Sequence, residues 1–209
     1  MSALATDNFN RADGGLGANW TTATSSGAPQ ISTNVVITNA VATDSRAYYS
    51  AISWPDDQYS QIVVVAITSN LGAIEAATRV ASGSLSMYMA RAVGPTGPSA
   101  VLAIDKYVTG TFTNLTNATK TIAVSDVIRI ESIGSSHNAY INGTVQQGPI
   151  SDSANTSGNA GIVVFVDSGT TADAKLDTWE AGDFSGALPI SFDKGSEVCM
   201  EMWDWAGLY

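Results

Sequence analysis

The sequence offers one histidine, His137, and one cysteine, Cys199, for nucleophilic or acid–base chemistry. His137 stands in the run Ser135-Ser136-His137-Asn138, where it could act as a lone general base beside a serine nucleophile. The chain has no Gly-x-Ser-x-Gly elbow to present such a serine, so we expect His137 to be an exposed loop residue. Cys199 lies in an apolar stretch with no histidine near it, which predicts a buried thiol.

Paired carboxylates are the second kind of chemistry to consider, because glycoside hydrolysis usually needs two of them facing one sugar. The chain has five glutamates: Glu75, Glu131, Glu180, Glu197 and Glu201. Only the last two are close in sequence, and they lie in an atypical C-terminal segment. This distribution predicts that the chain is not an enzyme.

Calcium is the one cofactor that the composition permits, because Ca²⁺ takes oxygen ligands. Asp7, near the first predicted strand, could meet Asp167, Asp173 or Asp183 near the last one. The same acids are typical of solvated turns and sheet edges, and a single histidine excludes His-pair metal motifs. We therefore predict no metal site and no cofactor.

Aromatic side chains beside polar groups are a common way to bind sugars on a β-sandwich. Trp54 falls in the loop-like run Trp54-Pro55-Asp56-Asp57, and Tyr59 follows it. Both are predicted to bind a ligand, although a subunit contact is an equally good interpretation of Trp54. Trp20 and Trp179, in the first and last predicted strands, are interpreted as core or seam residues.

Composition limits the class of partner. The chain has 209 residues, 19 acidic and 9 basic side chains, and a net charge of −10. The acidic balance argues against nucleic acid and against an anionic membrane surface. No run approaches the ~18 apolar residues of a membrane helix, and residues 1–10 lack the features of a secretory signal. We expect a protein made in the cytoplasm.

Short runs of β-forming residues, separated by turn residues, extend over most of the chain. Asn142-Gly143 stands between two β-like halves and predicts a hairpin with a type I′ turn. The run 73–81 fits either a short helix or a strand. The pattern predicts an all-β fold of two packed antiparallel sheets, a sandwich or jelly roll. Strands are predicted by alternation or apolar runs at 31–37, 61–67, 127–133, 161–166 and 174–178.

The strand pattern stops after residue 184. We therefore predict a jelly-roll domain at 1–184 and a C-terminal aromatic tail at 185–209. A terminus rich in aromatic side chains is costly to leave in water, so it either packs on its own sandwich or docks on a neighbouring chain. Assembly contacts are predicted at Met200, Trp203, Trp205 and Tyr209.

Motifs at both ends of the predicted domain resemble a known family. The opening motif is Asp7-Asn8-Phe9-Asn10-Arg11, followed by Leu16-Gly17 and Trp20. The closing motif is Leu176-Asp177-Thr178-Trp179-Glu180-Ala181-Gly182-Asp183. Over roughly residues 5–184 the chain resembles laminin-G-like, concanavalin-A-like jelly-roll domains of bacterial and bacteriophage surface proteins. The resemblance implies that the first and last strands pair.

The same resemblance provides a test for enzymes. Glucanases of this fold carry their carboxylates on one strand as Glu-x-Asp-x-x-Glu, and this pattern is absent from the sequence. Alginate lyases of this fold need a Gln-x-His strand. Here Gln61-Ile62 is followed by Val63 at the position of that histidine. The resemblance therefore implies a member without either activity.

These observations predict a non-enzymatic virion surface protein, either a capsid decoration (cement) protein or an adhesion domain of a bacteriophage. It would be made in the host cytoplasm and bind other virion subunits or identical copies. The alternative is a carbohydrate-binding module or lectin with an aromatic sugar site, secreted or displayed as part of a larger assembly. A polysaccharide-active enzyme is a distant third. A cell-surface glycan is the expected small partner, with no nucleic acid and no membrane.

Overall fold

The computed structural model describes residues 1–68 and 71–184. Within these ranges the chain forms strands and one short 3-10 helix, Thr171–Asp173. The strands in chain order are β1 (Ser2–Asp7), β2 (Gly14–Gly15), β3 (Trp20–Thr22), β4 (Gln30–Ser32), β5 (Val35–Ile37), β6 (Ser45–Tyr49), β7 (Gln58–Ile67), β8 (Gly72–Val80), β9 (Met87–Val93), β10 (Gly97–Val108), β11 (Thr111–Ile122), β12 (Val127–Ile133), β13 (Ser136–Ile141), β14 (Thr144–Ser151), β15 (Asn159–Val166) and β16 (Ala174–Asp183).

The strands form two antiparallel sheets packed face to face. The nine-stranded sheet has the order β14-β13-β12-β7-β16-β5-β4-β2, and β1 also pairs with β16. The seven-stranded sheet has the order β11-β10-β9-β8-β15-β6-β3. The predicted all-β sandwich is therefore confirmed. No described residue belongs to a helix long and apolar enough to cross a membrane.

Alternation along the strands creates the core between the sheets. On β12, Ile128 and Ile130 are fully buried in the main apolar cluster, and Arg129 lies on the opposite face. Successive side chains of a strand point to opposite faces, so each strand contributes every second residue to the core. Burying one such isoleucine stabilises the fold by about 1.5–3 kcal/mol.

The ends of the domain meet as the resemblance implies. Strand β1 pairs with β16 in antiparallel register, with Thr6 opposite Glu180 and Asp7 opposite Trp179. The hairpin prediction is also confirmed, since Asn142 and Gly143 join β13 to β14 with φ values of +50° and +77°. Both angles are the positive ones that a type I′ turn requires.

Two predictions of secondary structure need correction or completion. The single strand predicted at 31–37 is a hairpin of β4 and β5, which turns at Thr33-Asn34 with φ values of +51° and +64°. The turn has no glycine, and the alternation of 31–37 outweighed the one turn-forming residue, Asn34. The run 73–81, ambiguous between helix and strand, forms the central strand β8.

His137 lies in the core and not in an exposed loop, which corrects the expectation from sequence. It is fully buried on β13, and its ring stacks on Tyr88 with 3.8 Å between ring centroids. Its Nδ1 lies 2.9 Å from Ser132 Oγ, and its Nε2 lies 3.0 Å from the Asp152 carbonyl oxygen. Both ring nitrogens are thus used in structural hydrogen bonds, which leaves neither of them for catalysis.

A second apolar cluster lies on the outer face of the seven-stranded sheet, the face turned away from the nine-stranded sheet. Leu85 and Tyr107 pack against it. This cluster covers one part of the outer face, and the candidate site occupies a neighbouring part. Its buried members are Ala23, Tyr48, Ala77, Val80, Met87, Met89 and Val163.

Candidate functional site

A row of charged residues crosses the outer face of the seven-stranded sheet. Glu75 on β8 pairs with Arg91 on β9, and on its other side with Val163 on β15, which in turn pairs with Arg46 on β6. Ile74, next to Glu75, belongs to the core between the sheets. Because side chains alternate along a strand, the side chain of Glu75 lies on the outer face.

A cavity of about 450 Å³ opens over this row. Its volume falls within the range of small-molecule sites in proteins. Its charged lining consists of Asp44, Arg46, Glu75, Arg91 and Asp167. Its apolar and aromatic lining consists of Leu71, Ala73, Val93, Tyr107, Phe112 and Phe165.

Arg91 is held by an ion pair beneath the cavity. Its Nε lies 2.6 Å from Asp105 Oδ2, and Asp105 is fully buried. The Asn114 side-chain amide donates a hydrogen bond of 2.6 Å to Asp105 Oδ1. Asp105 therefore has both carboxylate oxygens engaged and serves to fix and neutralise Arg91.

Arg46 forms one wall of the cavity. Its guanidinium forms an ion pair with Asp44 and donates a hydrogen bond of 3.0 Å to the Tyr107 hydroxyl. It also lies over the Tyr107 ring, 4.6 Å from the ring centroid. Its Nε is buried and has no hydrogen-bond partner among the described residues. One N–H of the Arg46 guanidinium is therefore not used by any described residue.

Glu75 lies at the floor of the cavity. It is only 5% exposed, and its Oε2 is buried without a hydrogen-bond partner in the described part of the chain. Burial raises the pKa of Glu75 to about 7, and the negative charge of Asp105 adds to the rise, while Arg91 and Arg46 oppose it. Near neutral pH this carboxyl group can therefore either accept or donate a hydrogen bond.

An aromatic side chain stands at the rim. Phe112 follows the Thr109-Gly110 turn between β10 and β11, where both residues have positive φ values, +46° and +87°. Its side chain is 47% exposed and packs edge-on against Tyr107, with 5.4 Å between ring centroids. A half-exposed ring supported by a second ring offers a rigid apolar surface beside the charged row.

The two residues predicted to bind a ligand lie elsewhere. Tyr59 is on the nine-stranded sheet, is 3% exposed and donates a hydrogen bond of 2.7 Å to Glu180 Oε1. The ring of Tyr59 is therefore covered in the structure, and its role in binding a ligand stays a prediction. Trp54 is half-buried, donates its indole N–H to the Tyr49 carbonyl and packs edge-on against Trp179. Neither residue lines the cavity.

The other predicted sites have different outcomes. Met200, Trp203, Trp205 and Tyr209 lie outside the described residues. Asp7, considered as a calcium ligand, accepts hydrogen bonds from Arg11 at 2.8 Å and from the Trp20 indole at 2.8 Å. In residues 1–68 and 71–184, no three His, Cys, Asp or Glu side chains form a group that could hold a metal ion.

Sequence reasoning missed the charged row, although a signal for it was present. Glu75 is the single charged residue within the small and apolar run Gly72–Ala77, and Arg91 interrupts a similar run on β9. A charge in the middle of a predicted buried strand calls for a partner or a function. The convergence of the row depends on strand order and register across β6, β15, β8 and β9, and the local sequence does not reveal these.

The chain matches no protein-family model and no curated protein sequence at a significant level. Among solved structures, it is similar to the carbohydrate-binding module CBM66 from Bacillus subtilis, with a TM-score of 0.59 and 18% identity over 78% of this chain and 95% of that one. The fold is that of concanavalin-A-like jelly rolls.

Two further jelly rolls show how different the functions on this fold are. The exoplasmic/lumenal domain of VIP36, in a Ca²⁺- and mannose-bound form, has a TM-score of 0.53 and 8% identity over 84% of this chain and 87% of that one. The Bacillus licheniformis β-glucanase has a TM-score of 0.52 and 9% identity over 88% of this chain and 98% of that one. At these identities the likeness establishes the fold, and function must be argued from the site.

Proposed function

We propose that this chain is a carbohydrate-binding module whose sugar site is the cavity over Glu75. One observation carries the proposal: Glu75 and Arg46 line the same cavity, and each has a buried polar atom, Oε2 and Nε, without a hydrogen-bond partner among the described residues. Buried polar atoms are nearly always hydrogen-bonded to protein, water or ligand, so two such atoms beside one cavity support a binding site there. Sugar hydroxyls both donate and accept hydrogen bonds, which suits a lining of carboxyl and guanidinium groups.

The apolar part of the cavity supports the same class of ligand. Phe112 at the rim and Phe165 in the wall give apolar contact area next to the polar row. Ligand sites typically combine such apolar lining with a few polar groups that fix orientation. A sugar ring presents both a C–H face and a hydroxyl edge, which matches this division of the lining.

The site favours binding without catalysis. Glu75 is followed by Ala77 and Val80 at the spacings where a Glu-x-Asp-x-x-Glu strand has its second and third carboxylates. Asp105, the nearby carboxylate, is held by Arg91 and Asn114. Of the carboxyl groups that line the cavity, Asp44 is paired with Arg46 and Asp167 is exposed, which leaves Glu75 as the buried one at the floor. This arrangement suits hydrogen bonding to a hydroxyl better than the two-carboxylate chemistry of glycosidases.

The similar solved structures favour a carbohydrate-binding role over a virion structural role, because they include a carbohydrate-binding module and a mannose-bound domain. The virion prediction, with its cytoplasmic synthesis and its contacts to other subunits, depends mainly on the resemblance to bacteriophage surface domains and stays a prediction. An adhesion domain that binds a cell-surface glycan through this cavity would join the two proposals.

The test is binding of the full chain to an immobilised glycan panel, followed by calorimetric titration of the sugars retained. We expect Glu75→Leu and Phe112→Ala each to weaken binding about tenfold or more. The first removes the buried polar group at the floor of the cavity, and the second removes the aromatic ring at its rim. Val145→Ala is the matched control, because Val145 is equally exposed, at 47%, but lies on the other sheet. Unchanged binding by both cavity variants, or no retained glycan, would refute the proposal.

A further inference from the structure

The charges around the cavity do not balance. Asp44, Glu75 and Asp167 line it, and Asp105 lies beneath it, so four carboxyl groups face two guanidinium groups, those of Arg46 and Arg91. Asp167 is exposed at the rim, whereas Glu75 is buried at the floor. The excess of acidic groups gives the cavity a negative field toward any ligand.

Both cations of the cavity are already neutralised. Arg46 is paired with Asp44, and Arg91 is paired with Asp105. An anionic ligand would have to compete with these intramolecular carboxylates for the same guanidinium groups. The cavity is therefore a poor site for a sugar that carries a carboxylate or a sulfate group.

Glu75 and Asp167 form no ion pair with any described residue, and of the two only Glu75 is buried. Glu75 lines the cavity, and its Oε2 is buried and has no hydrogen-bond partner in the described ranges. A buried carboxylate is unfavourable unless it is paired and hydrogen-bonded. An ammonium group on the ligand would supply both the charge and the hydrogen bond.

We propose that the cavity selects an amino sugar with a free amine, whose ammonium group pairs with Glu75. This inference rests on the sugar-binding function proposed above and adds the chemical class of the ligand. The aromatic lining is compatible with it, since rings of Phe112 and Tyr107 attract a nearby cation through their π-faces.

Pairing of Glu75 with an ammonium group would change the protonation of Glu75. Burial raises the pKa of Glu75 to about 7, so part of the population is protonated near neutral pH. The charged groups that act on it are Asp105, which raises its pKa, and Arg91 and Arg46, which lower it. A bound ammonium group would lower the pKa of Glu75 from this raised value, so binding would release a proton from Glu75 near pH 7.

The experiment is calorimetric titration of the full chain at pH 7 with sugars that differ only in charge. The probes are glucosamine and galactosamine, the neutral hexoses glucose and galactose, the N-acetyl forms of the amines, and glucuronate and galacturonate; the hexose matches the amine in size and lacks its charge. On at least one of the two skeletons we expect the amine to bind about tenfold tighter than the hexose and the uronate to bind weakest. Buffers of different ionisation enthalpy report the released proton.

Glu75→Gln is the matched variant, because it keeps the size and hydrogen-bonding capacity of Glu75 and removes its charge. Whatever its effect on binding of the neutral sugar, we expect it to lose both the advantage of the amine over the neutral sugar and the proton release. Neutral sugars that bind without any advantage of the amine, or an advantage that persists in Glu75→Gln, would refute the inference alone. No binding of any sugar would refute the proposed function and the inference with it.

Discussion

At the scale of single residues, burial of Glu75 lowers the stability of the folded protein. Its pKa rises from an ordinary value of 4.5 to about 7 because the folded protein buries it. Between these two values the folded state holds the proton more tightly than the unfolded state, so stability falls as pH rises. Above pH 7 the full cost is present, and the shift corresponds to roughly 3 kcal/mol.

Glu75→Gln should therefore raise the melting temperature at pH 8 and leave it nearly unchanged at pH 4, where both side chains are neutral. Thermal denaturation at the two pH values measures the difference. Glu131→Gln is the control, because Glu131 is as buried as Glu75 but forms an ion pair of 2.9 Å with Arg129 and should lose stability at pH 8. A loss of stability in Glu75→Gln at pH 8 would contradict this account of the site.

His137 titrates in the opposite sense. Burial lowers its pKa below the ordinary value of 6.5, although the hydrogen bond to the Asp152 carbonyl opposes the shift. The unfolded state therefore binds the proton first, and stability should be lost as pH falls below about 6.5. This loss lies within the pH range of the Glu75 titration.

The two effects can be separated by working in the Glu75→Gln background. There the melting temperature should fall between pH 7.5 and pH 5.5, and adding His137→Gln should make the pH profile flatter, whatever its effect at pH 7.5. Circular dichroism melts across this range give the profile. An equally steep profile in the double variant would show that His137 is not responsible.

At the scale of elements, the pairing of β1 with β16 depends on a close backbone approach at Gly182. A Cβ atom at this position would overlap the Ser2 carbonyl oxygen and crowd the Ala3 backbone. Gly182→Ala should therefore push the strands apart and destabilise the protein by about 1–3 kcal/mol, measured by urea denaturation. Gly15→Ala is the control, since nothing lies within 4 Å of its Cβ position; an equal effect of both would argue against a role of the close approach.

The elements also show which parts of the structure are readable from sequence. Alternation at 127–133 and the Asn142-Gly143 turn are local signals, and both correctly predicted structure. The turn at Thr33-Asn34 was missed because Asn34 is a turn former without a neighbouring glycine, and the alternation on both sides of it indicated one continuous strand. Trp20 and Trp179, interpreted as core or seam residues, both lie in the main core cluster, 4.7 Å apart between ring centroids. Trp20 belongs to β3 of the seven-stranded sheet, whereas the strand that pairs with β16 is β1.

The candidate site could not be predicted from local sequence signals. Arg46, Glu75 and Arg91 come from three strands, and only the order and register of the seven-stranded sheet bring them into one row. Sequence reasoning favoured Trp54 and Tyr59 because aromatic residues near a turn are typical of exposed platforms. The structure uses both as packing residues, since their polar atoms bond to Tyr49 and Glu180.

At the scale of the whole molecule, one sandwich supports a rigid site on the outer face of its seven-stranded sheet. The central strand β8 is buried on both faces, because the core covers one side and the outer apolar cluster with the charged row covers the other. Sites built on such strands hold their side chains in fixed positions, which lowers the cost of binding.

The most direct test of the sugar site is to map ligand contacts by NMR on the ¹⁵N-labelled full chain. The amine or neutral sugar that binds best in the titrations is added, and the backbone amide shifts are followed. The account predicts that shifts concentrate at Ala73–Glu75, Arg91 and Phe112. Shifts concentrated at Tyr49–Trp54 or Tyr59, with the cavity residues unchanged, would contradict it.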